Sequence, residues 1–494
     1  MQRRKGKRER NTKGGYQRMG RRIAAGFLAM LVFFVGPLVV TVQAEGEQTQ
    51  SQTVDEKASS LALPVDTNSV EDWPQGTGVY ADSAIVMDID SKAILYGKRI
   101  DVQHYPASIT KLLTTLVALE NAKLTDEVTF SQDSVSFLEA GDASAGMQPG
   151  EVISLDDALH AVLLASANEV SYAVAESVGN EMGGGYDTFI QEMNDRSAEL
   201  GCKNSHWVNA NGLHDDAHYT SAYDMALIGA AVYQRQEFRD IMNSREYVIQ
   251  PTNINKEARE LWQNHKMLYP SSRYYYAACT GGKTGYTDQA RTTLVTFAEQ
   301  DGLRLVCVNL RSYGAVVYTD TAAMFDYAFS NFQKVSLEGK FDEEKVEKSL
   351  TDDPYVLIPK EGDAAKLKAE YSLTEGGKKR QATVSYSYGG QSVGSAEVIL
   401  KASYYKELKN TSDPTVKNVK NENASAKSKA LSKVKAKMSR WNYGIIFVGV
   451  LVLLVLVLYL WSRILQKKRR RKRNAKRRSD IERKSKRKRQ EDRK

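Results

Sequence analysis

The chain has 494 residues and an ordinary balance of hydrophobic (42%) and charged (26%) positions, which allows two or three domains and a large core. Its net charge of +9 sits at the ends: residues 1–22 hold ten Lys/Arg against one Glu, residues 463–494 hold nineteen against four Asp/Glu, and residues 23–462 therefore carry −15. An acidic body argues against a nucleic-acid surface, and Cys202, Cys279 and Cys307, with no Cys-x-x-Cys, argue against a disulfide framework or a cysteine metal site.

The basic start leads into an apolar run, Ile23 to Val40, followed by "TVQAEGEQ" with small residues at Val42 and Ala44. Basic, apolar and small-residue regions in that order predict a secretory signal over 1–44; the alternative is an uncleaved anchor. Residues 45–77 are polar and aperiodic and predict a flexible lead-in. Two β-prone runs around Asp90–Ser91–Lys92 predict a hairpin. Pro106 then suits a helix start, and Leu112, Leu113, Leu116, Val117 and Leu119 supply its apolar face. Residues 155–178, 186–200 and Ala222 to Tyr233 predict further helices. "RTTLVTFAEQDGLRLVCVNLR" predicts a hairpin turning at Asp301–Gly302, and "YTDTAAMFDYAFSNF" returns to helical spacing. The outline is a mixed α/β (α+β) domain over 78–335, an antiparallel sheet built from both ends with a helical insertion.

Residues 336–405 alternate apolar and polar positions over short spans and predict a small all-β domain. A Lys/Asn/Ser/Ala-rich tether follows over 406–440. Residues 441–462 predict a transmembrane helix: Tyr443 to Trp461 is free of charge and is bracketed by Trp441 and Trp461. The basic tail 463–494 is then cytoplasmic and the body outside, by the bias of positive charge toward the cytoplasm.

Three short stretches carry chemistry. Ser108 and Lys111 stand one helical turn apart, a weak hydroxyl nucleophile beside a lysine that can serve as its base once burial and a nearby cation lower its pKa. Alone this signal is thin, because Ser-x-x-Lys recurs at Ser403/Lys406, Ser432/Lys435 and Ser485/Lys488. Ser166 and Asn168 in "LLASANEV" can relay a proton and hold a substrate amide. Lys283, Thr284 and Gly285 in "CTGGKTGYT" enter a strand: the lysine suits an anion, and the glycine lets an extended substrate lie close. The N–H groups of Ser108 and Tyr286 can form an oxyanion hole.

The ordered set is the Ser-x-x-Lys, Ser-x-Asn, Lys-Thr-Gly combination of penicillin-recognising enzymes. "YPASITKLLTTL", "SANEVSYAVAE", "ANGLHDDAHYTSAYDMALIG" and "GGKTGYTDQARTTLV" together resemble a low-molecular-mass penicillin-binding protein of the serine D-alanyl-D-alanine carboxypeptidase type. The resemblance implies a penicillin-recognising, serine transpeptidase-like fold and attack by Ser108 on peptidoglycan stem peptides, with Lys111 as base. It also implies that Ser166 and Asn168 line the cleft, that Lys283 and Thr284 bind the terminal carboxylate region, and that β-lactams act as covalent inhibitors. An arginine after the hairpin helps hold that carboxylate in the family; by position in "VNLRSYG" this implies Arg311. No cofactor or metal is implied, and the predicted setting is a bacterial cell membrane spanned once.

Three other readings compete. A serine β-lactamase shares the motifs, but no Glu-x-x-Leu-Asn stretch follows Ser-x-Asn. A metallopeptidase would use His214 and His218, four apart around Asp215 and Asp216. A sensor or scaffold would acylate without turning over.

Overall fold

A computed structural model describes residues 55–374 and 378–412. The expected signal, transmembrane helix and basic tail lie outside the described residues, as does most of the tether. Among the described residues no helix is long and apolar enough to cross a membrane.

The central element is a five-stranded antiparallel sheet. Its order is Ile94–Lys98, Ser83–Asp88, Leu303–Ser312, Arg291–Gln300 and Cys279–Thr287. Two strands come from the start of the domain and three from its end, with most of the helices between them in sequence and the helix Val316–Asn331 after them. The first hairpin closes over Asp88–Ala93, where Lys92 takes a left-handed φ of 63° and Asp88 Oδ2 accepts from the Ser91 N–H and hydroxyl. The second turns at Asp301–Gly302, both with positive φ (51° and 74°), the twist that two-residue hairpins favour. Its strands are buried because helices cover them: Val86, Cys307, Val306 and Phe297 are fully enclosed.

The nucleophile segment is a short 3-10 turn, Ala107–Thr110, running into the helix Lys111–Asn121. That helix is buried from Lys111 to Leu119, so it runs through the core instead of along its surface. The helix Ala222–Tyr233 packs beside it with a serine cap, the Ser221 hydroxyl accepting from the Asp224 N–H. Helix 155–178, expected to be continuous, is interrupted. Leu155–His160 passes into a π turn, Ala161–Ala165, and Ser166 is left-handed (φ 63°, ψ 26°) before the helix resumes at Asn168–Glu181. A π turn widens the backbone by one residue, and here it breaks the helix beside the site.

Two further expectations are corrected. Residues 55–77 are not a loose lead-in: residues 55–62 are helical, and Trp73 is buried. The Trp73 ring lies against Phe332 and Tyr388 while its Nε1 donates to Leu95 O at 3.1 Å. One apolar indole with a satisfied N–H is enough to tie a polar segment down, and a compositional reading does not see it. The strands expected over 336–405 are present and pack on the first hairpin. Strands between Phe332 and Leu400 form a two-stranded and a four-stranded sheet. They join the first hairpin through Tyr355 OH to Asp88 Oδ2 (2.8 Å) and Ser395 N to Ser91 O (2.9 Å). The chain divides after Tyr405. The described part of the second unit, 406–412, continues the helix Ala402–Ser412 where an irregular tether was expected.

Candidate active site

Ser108 sits in the 3-10 turn, half-buried, and the turn is held on several sides. Ala107 has φ 53°, a left-handed backbone that costs an alanine about 1 kcal/mol. Its carbonyl accepts from Thr110 Oγ1 at 2.8 Å, and Thr110 Oγ1 lies 2.8 Å from His218 Nε2. A Cβ on Gly212 would stand 2.0 Å from Ala107 O, so only glycine allows that loop so near the turn. Thr293 Oγ1 donates to Pro106 O at 2.8 Å and ties the turn to the sheet. The nucleophile is thus positioned by backbone that the surroundings hold in a strained form.

Lys111 Nζ donates to Ser108 Oγ at 3.1 Å, to Asn168 Oδ1 at 2.7 Å and to Asn211 O at 2.6 Å. The lysine is completely buried and its three donors all meet neutral oxygens. Burial, and then the charge of Lys283, hold its pKa well below the usual lysine range; Glu169 and Asp142 oppose that weakly. The lowered pKa favours the neutral amine, whose lone pair can take the Ser108 proton.

Ser166 closes the other side. Lys283 Nζ donates to Ser166 Oγ at 2.8 Å and to Thr284 O at 3.0 Å. Lys283 is also buried, which pushes its pKa down to about 7. Lys111 thus bonds Ser108 and Asn168 while Lys283 bonds Ser166, two hydrogen-bonded groups whose lysines feel each other's charge. Asn168 Oδ1 accepts from Lys111, which leaves its NH₂ end for the expected part, the carbonyl of a substrate amide. Ser108, Ser166, Asn168, Thr284, Gly285 and Tyr286 line one cleft of about 690 Å³.

The strand Cys279–Thr287 is the outer strand of the sheet, so its free edge can pair with an extended peptide. Gly285 is needed for a further reason beside the one expected. A Cβ there would stand 2.4 Å from Thr293 Oγ1 and 2.9 Å from the Ser108 nitrogen, so the glycine admits the nucleophile turn against the strand. The exposed Tyr286 side chain bonds Asp288 at 3.0 Å and leaves its backbone to the site.

Arg311 is not brought to the cleft. It lines a separate cavity of about 260 Å³ with His104, Tyr105, Asp216 and Gln289. The cause is a β-bulge. Thr292 faces Ser312 while Leu294 faces Asn309, so Leu310 and Arg311 oppose the single residue Thr293, and Arg311 takes φ 52°. An inserted residue turns the side chains beyond it to a new direction, which alternation counted along "LRLVCVNLR" cannot foresee. The alternative metal pair is also corrected. His218 is buried, and both ring nitrogens are engaged: Nδ1 accepts from Val208 N (3.1 Å), and Nε2 meets Thr110. Burial lowers its pKa to about 3, so it stays a neutral brace.

Sequence reasoning missed two contributors. Asn211 supplies a backbone carbonyl, which no side-chain pattern reveals. Glu169, fully buried beside Asn168, accepts through Oε1 from Ser144 Oγ (2.7 Å), Ala145 N (2.7 Å) and Gly146 N (3.1 Å). It thereby fixes the loop whose residues Ala140 to Ala143 form the facing wall. Its position next to Asn168 in the Ser-x-Asn stretch was its only signal.

A family model described as D-alanyl-D-alanine carboxypeptidase matches residues 69–313. The chain is 28% identical over 304 residues to the D-alanyl-D-alanine carboxypeptidase DacF of Bacillus subtilis, covering 57% of this chain and 73% of the relative. It is 31% identical over 256 residues to DacB2, a D-alanyl-D-alanine carboxypeptidase of Mycobacterium tuberculosis, covering 51% and 82%. A crystal structure of D-alanyl-D-alanine carboxypeptidase from M. tuberculosis overlaps 53% of this chain and 95% of its own, at 27% identity and a TM-score of 0.47.

Proposed function

Because the chain belongs to the D-alanyl-D-alanine carboxypeptidase family of serine peptidases, we propose that it removes the terminal D-Ala from peptidoglycan stem pentapeptides through an acyl-enzyme on Ser108. The observation that carries this is the contact of a buried, easily deprotonated Lys111 with Ser108 Oγ at 3.1 Å.

The stem peptide lies along the edge strand, with the NH₂ of Asn168 on its carbonyl. Neutral Lys111 takes the Ser108 proton as Oγ bonds to the carbonyl carbon of the penultimate D-Ala. The N–H groups of Ser108 and Tyr286 receive the developing oxyanion. The C–N bond breaks as its nitrogen takes a proton, from Lys111 directly or through Ser166, and free D-Ala leaves. Water then attacks the ester, Lys111 again accepts a proton, and Ser108 is restored. A penicillin acylates Ser108 by the same first step, but its ring-opened leaving group stays attached. We further propose that 336–405 is an accessory β domain, and that 441–462 anchors the protein with its body outside a bacterial membrane.

Residues 45–440 incubated with a pentapeptide ending in D-Ala-D-Ala should yield tetrapeptide and D-Ala, and penicillin should add its mass at Ser108. Penicillin labelling without tetrapeptide would favour a non-turnover sensor, and rapid release of hydrolysed penicillin would favour a β-lactamase.

A further inference from the structure

The second cavity, of about 260 Å³, adjoins the nucleophile turn outside the cleft. The two cavities share no lining residue, yet the same three stretches of chain serve both. Tyr105 lines the second and Ser108 the cleft; Asp216 lines the second and Leu213 the cleft; Gln289 lines the second and Asp288 the cleft. Three residues of chain span no more than about 11 Å, so the wall of this cavity begins close to the nucleophile. Its volume admits one polar group with a few attached atoms, not a length of peptide.

Arg311 supplies its positive charge. The bulge that keeps Arg311 from the cleft aims it here, in a left-handed backbone (φ 52°) that a residue other than glycine holds only when its surroundings impose it. Burial lowers the pKa of the His104 ring; Asp82 opposes this, and the charges of Arg99 and Arg311 add to it, so the guanidinium stands on the His104 wall of the cavity. Asp82 lies beside the bulge, its N–H donating to Leu310 O at 3.1 Å, but its carboxylate is taken by Arg99 Nη1 (3.1 Å) and His104 Nε2 (3.3 Å). Asp216, at the rim, has a side chain 93% exposed that meets Tyr105 OH (3.4 Å) and His214 Nε2 (3.5 Å). Among the described residues, the half-buried Arg311 guanidinium therefore joins no hydrogen bond and no ion pair, and neither do the side-chain amides of Gln103 and Gln289. A strained bulge that holds a charge unpaired at a cavity gains the free protein nothing, which points to a ligand.

We propose that this cavity is a second ligand site, separate from the cleft, which takes an oxyanion group, a carboxylate or a phosphate, on the Arg311 guanidinium, with the Gln103 and Gln289 amides as further donors. A guanidinium presents two parallel N–H groups that match two oxygens of either anion, and a carboxamide adds a neutral donor with no second charge to desolvate. The terminal-carboxylate region expected at Lys283 and Thr284 belongs to the cleft and is a different place.

The test uses phenylglyoxal, which modifies free guanidinium groups and is held off by a bound anion. The full chain is treated briefly, and each arginine is read by peptide mass spectrometry, in chloride alone and with inorganic phosphate or acetate at matched ionic strength. Arg311 should react readily in chloride. Low-millimolar phosphate or acetate should slow its modification by about 10-fold, as mass action on an occupied site requires. Arg273 is the control: it is exposed and meets the Tyr274 ring at 4.8 Å. Its modification should change by less than about 2-fold, as for an arginine that meets anions only through screening. Replacing both amides, Gln103→Ala with Gln289→Ala, should cut the protection of Arg311 to about 3-fold or less, the loss of neutral hydrogen bonds. The reactivity of Arg311 in chloride and the urea midpoint of that variant should match the parent. Protection by either anion supports the site, and the stronger of the two names the group. The proposal fails if Arg311 is no better protected than Arg273, if it does not react in chloride, or if the double variant keeps full protection. None of these readings needs acylation or turnover, so the proposal stands or falls apart from the peptidase reading.

Discussion

Two places in this molecule bury charge, and they do so in opposite ways. At the Ser108 cleft, Lys111 and Lys283 are enclosed with no carboxylate against either ammonium; their donors meet the oxygens of Ser108, Asn168, Asn211, Ser166 and Thr284. Under the loop that begins at Met147, Glu151 is equally enclosed but fully answered. Arg259 grips both its oxygens at 2.7 and 2.9 Å, while Thr252 Oγ1 and Gln148 N donate to it at 2.6 and 2.9 Å. The second arrangement holds two charges steady and fastens the Glu246–Ile249/Arg259–Trp262 ribbon to the helical part. The first disfavours the charged form of both lysines and so favours a neutral Lys111 able to take the Ser108 proton. A buried cation with only neutral partners costs stability, and that cost is the means by which the pKa is lowered.

The largest expected effects lie at the unpaired site. Ser108→Ala should abolish covalent labelling by penicillin. Lys111→Ala should leave the fold intact and slow acylation by about 10²–10⁴-fold, the usual worth of a general base, in a stopped-flow assay. Full labelling rates in either variant would remove the distinction between the two sites.

At the paired site the effect should be structural. Arg259→Ala leaves a buried carboxylate without its counter-charge and should destabilise the protein by about 3–5 kcal/mol in urea unfolding. Penicillin should still label Ser108 at low denaturant. A loss below about 1 kcal/mol would mean that the pair is not what fastens the ribbon.

Lys283 sharpens the contrast through pH. Its folded pKa, about 7, lies below its unfolded value, so between pH 7 and about 10 the unfolded chain binds more protons and native stability rises with pH. Lys283→Met removes this term. The variant's stability relative to the parent should be greatest below pH 7 and decline as pH rises toward 10. A constant difference from pH 6 to 10 would show that Lys283 titrates as an ordinary lysine.

Much of this was legible in the sequence where local chemistry and tertiary structure agree. The Asp301–Gly302 turn needed two positive φ values and had the residues that tolerate them. Ala222–Tyr233 began at a serine cap. Ser108, Lys111, Ser166, Asn168 and Lys283 were found because their chemistry fixes their types, and the fold then brings them together. What was not legible depended on backbone geometry without a local mark. The π turn before Ser166 keeps the apolar pattern of a continuous helix, and the bulge at Leu310–Arg311 keeps the pattern of a continuous strand while redirecting its last charge. Trp73 ordered a segment whose composition read as loose. The smallest expected effect follows from that bulge. Arg311→Ala should change unfolding stability by no more than about 0.5 kcal/mol and should leave penicillin acylation within about 2-fold of the parent. A larger loss of acylation would place Arg311 in the cleft after all.

Burial lowers the pKa of Lys111 so that it can serve as the base for Ser108. This is tested most directly by the rate of penicillin acylation at Ser108, followed by mass spectrometry from pH 4 to 11. The rate should rise through an acid limb whose midpoint lies well below the ordinary lysine value of 10.5, and that limb should vanish from the residual acylation of Lys111→Ala. A rate that climbs only as pH approaches 10.5, or an unchanged limb in Lys111→Ala, would contradict the account.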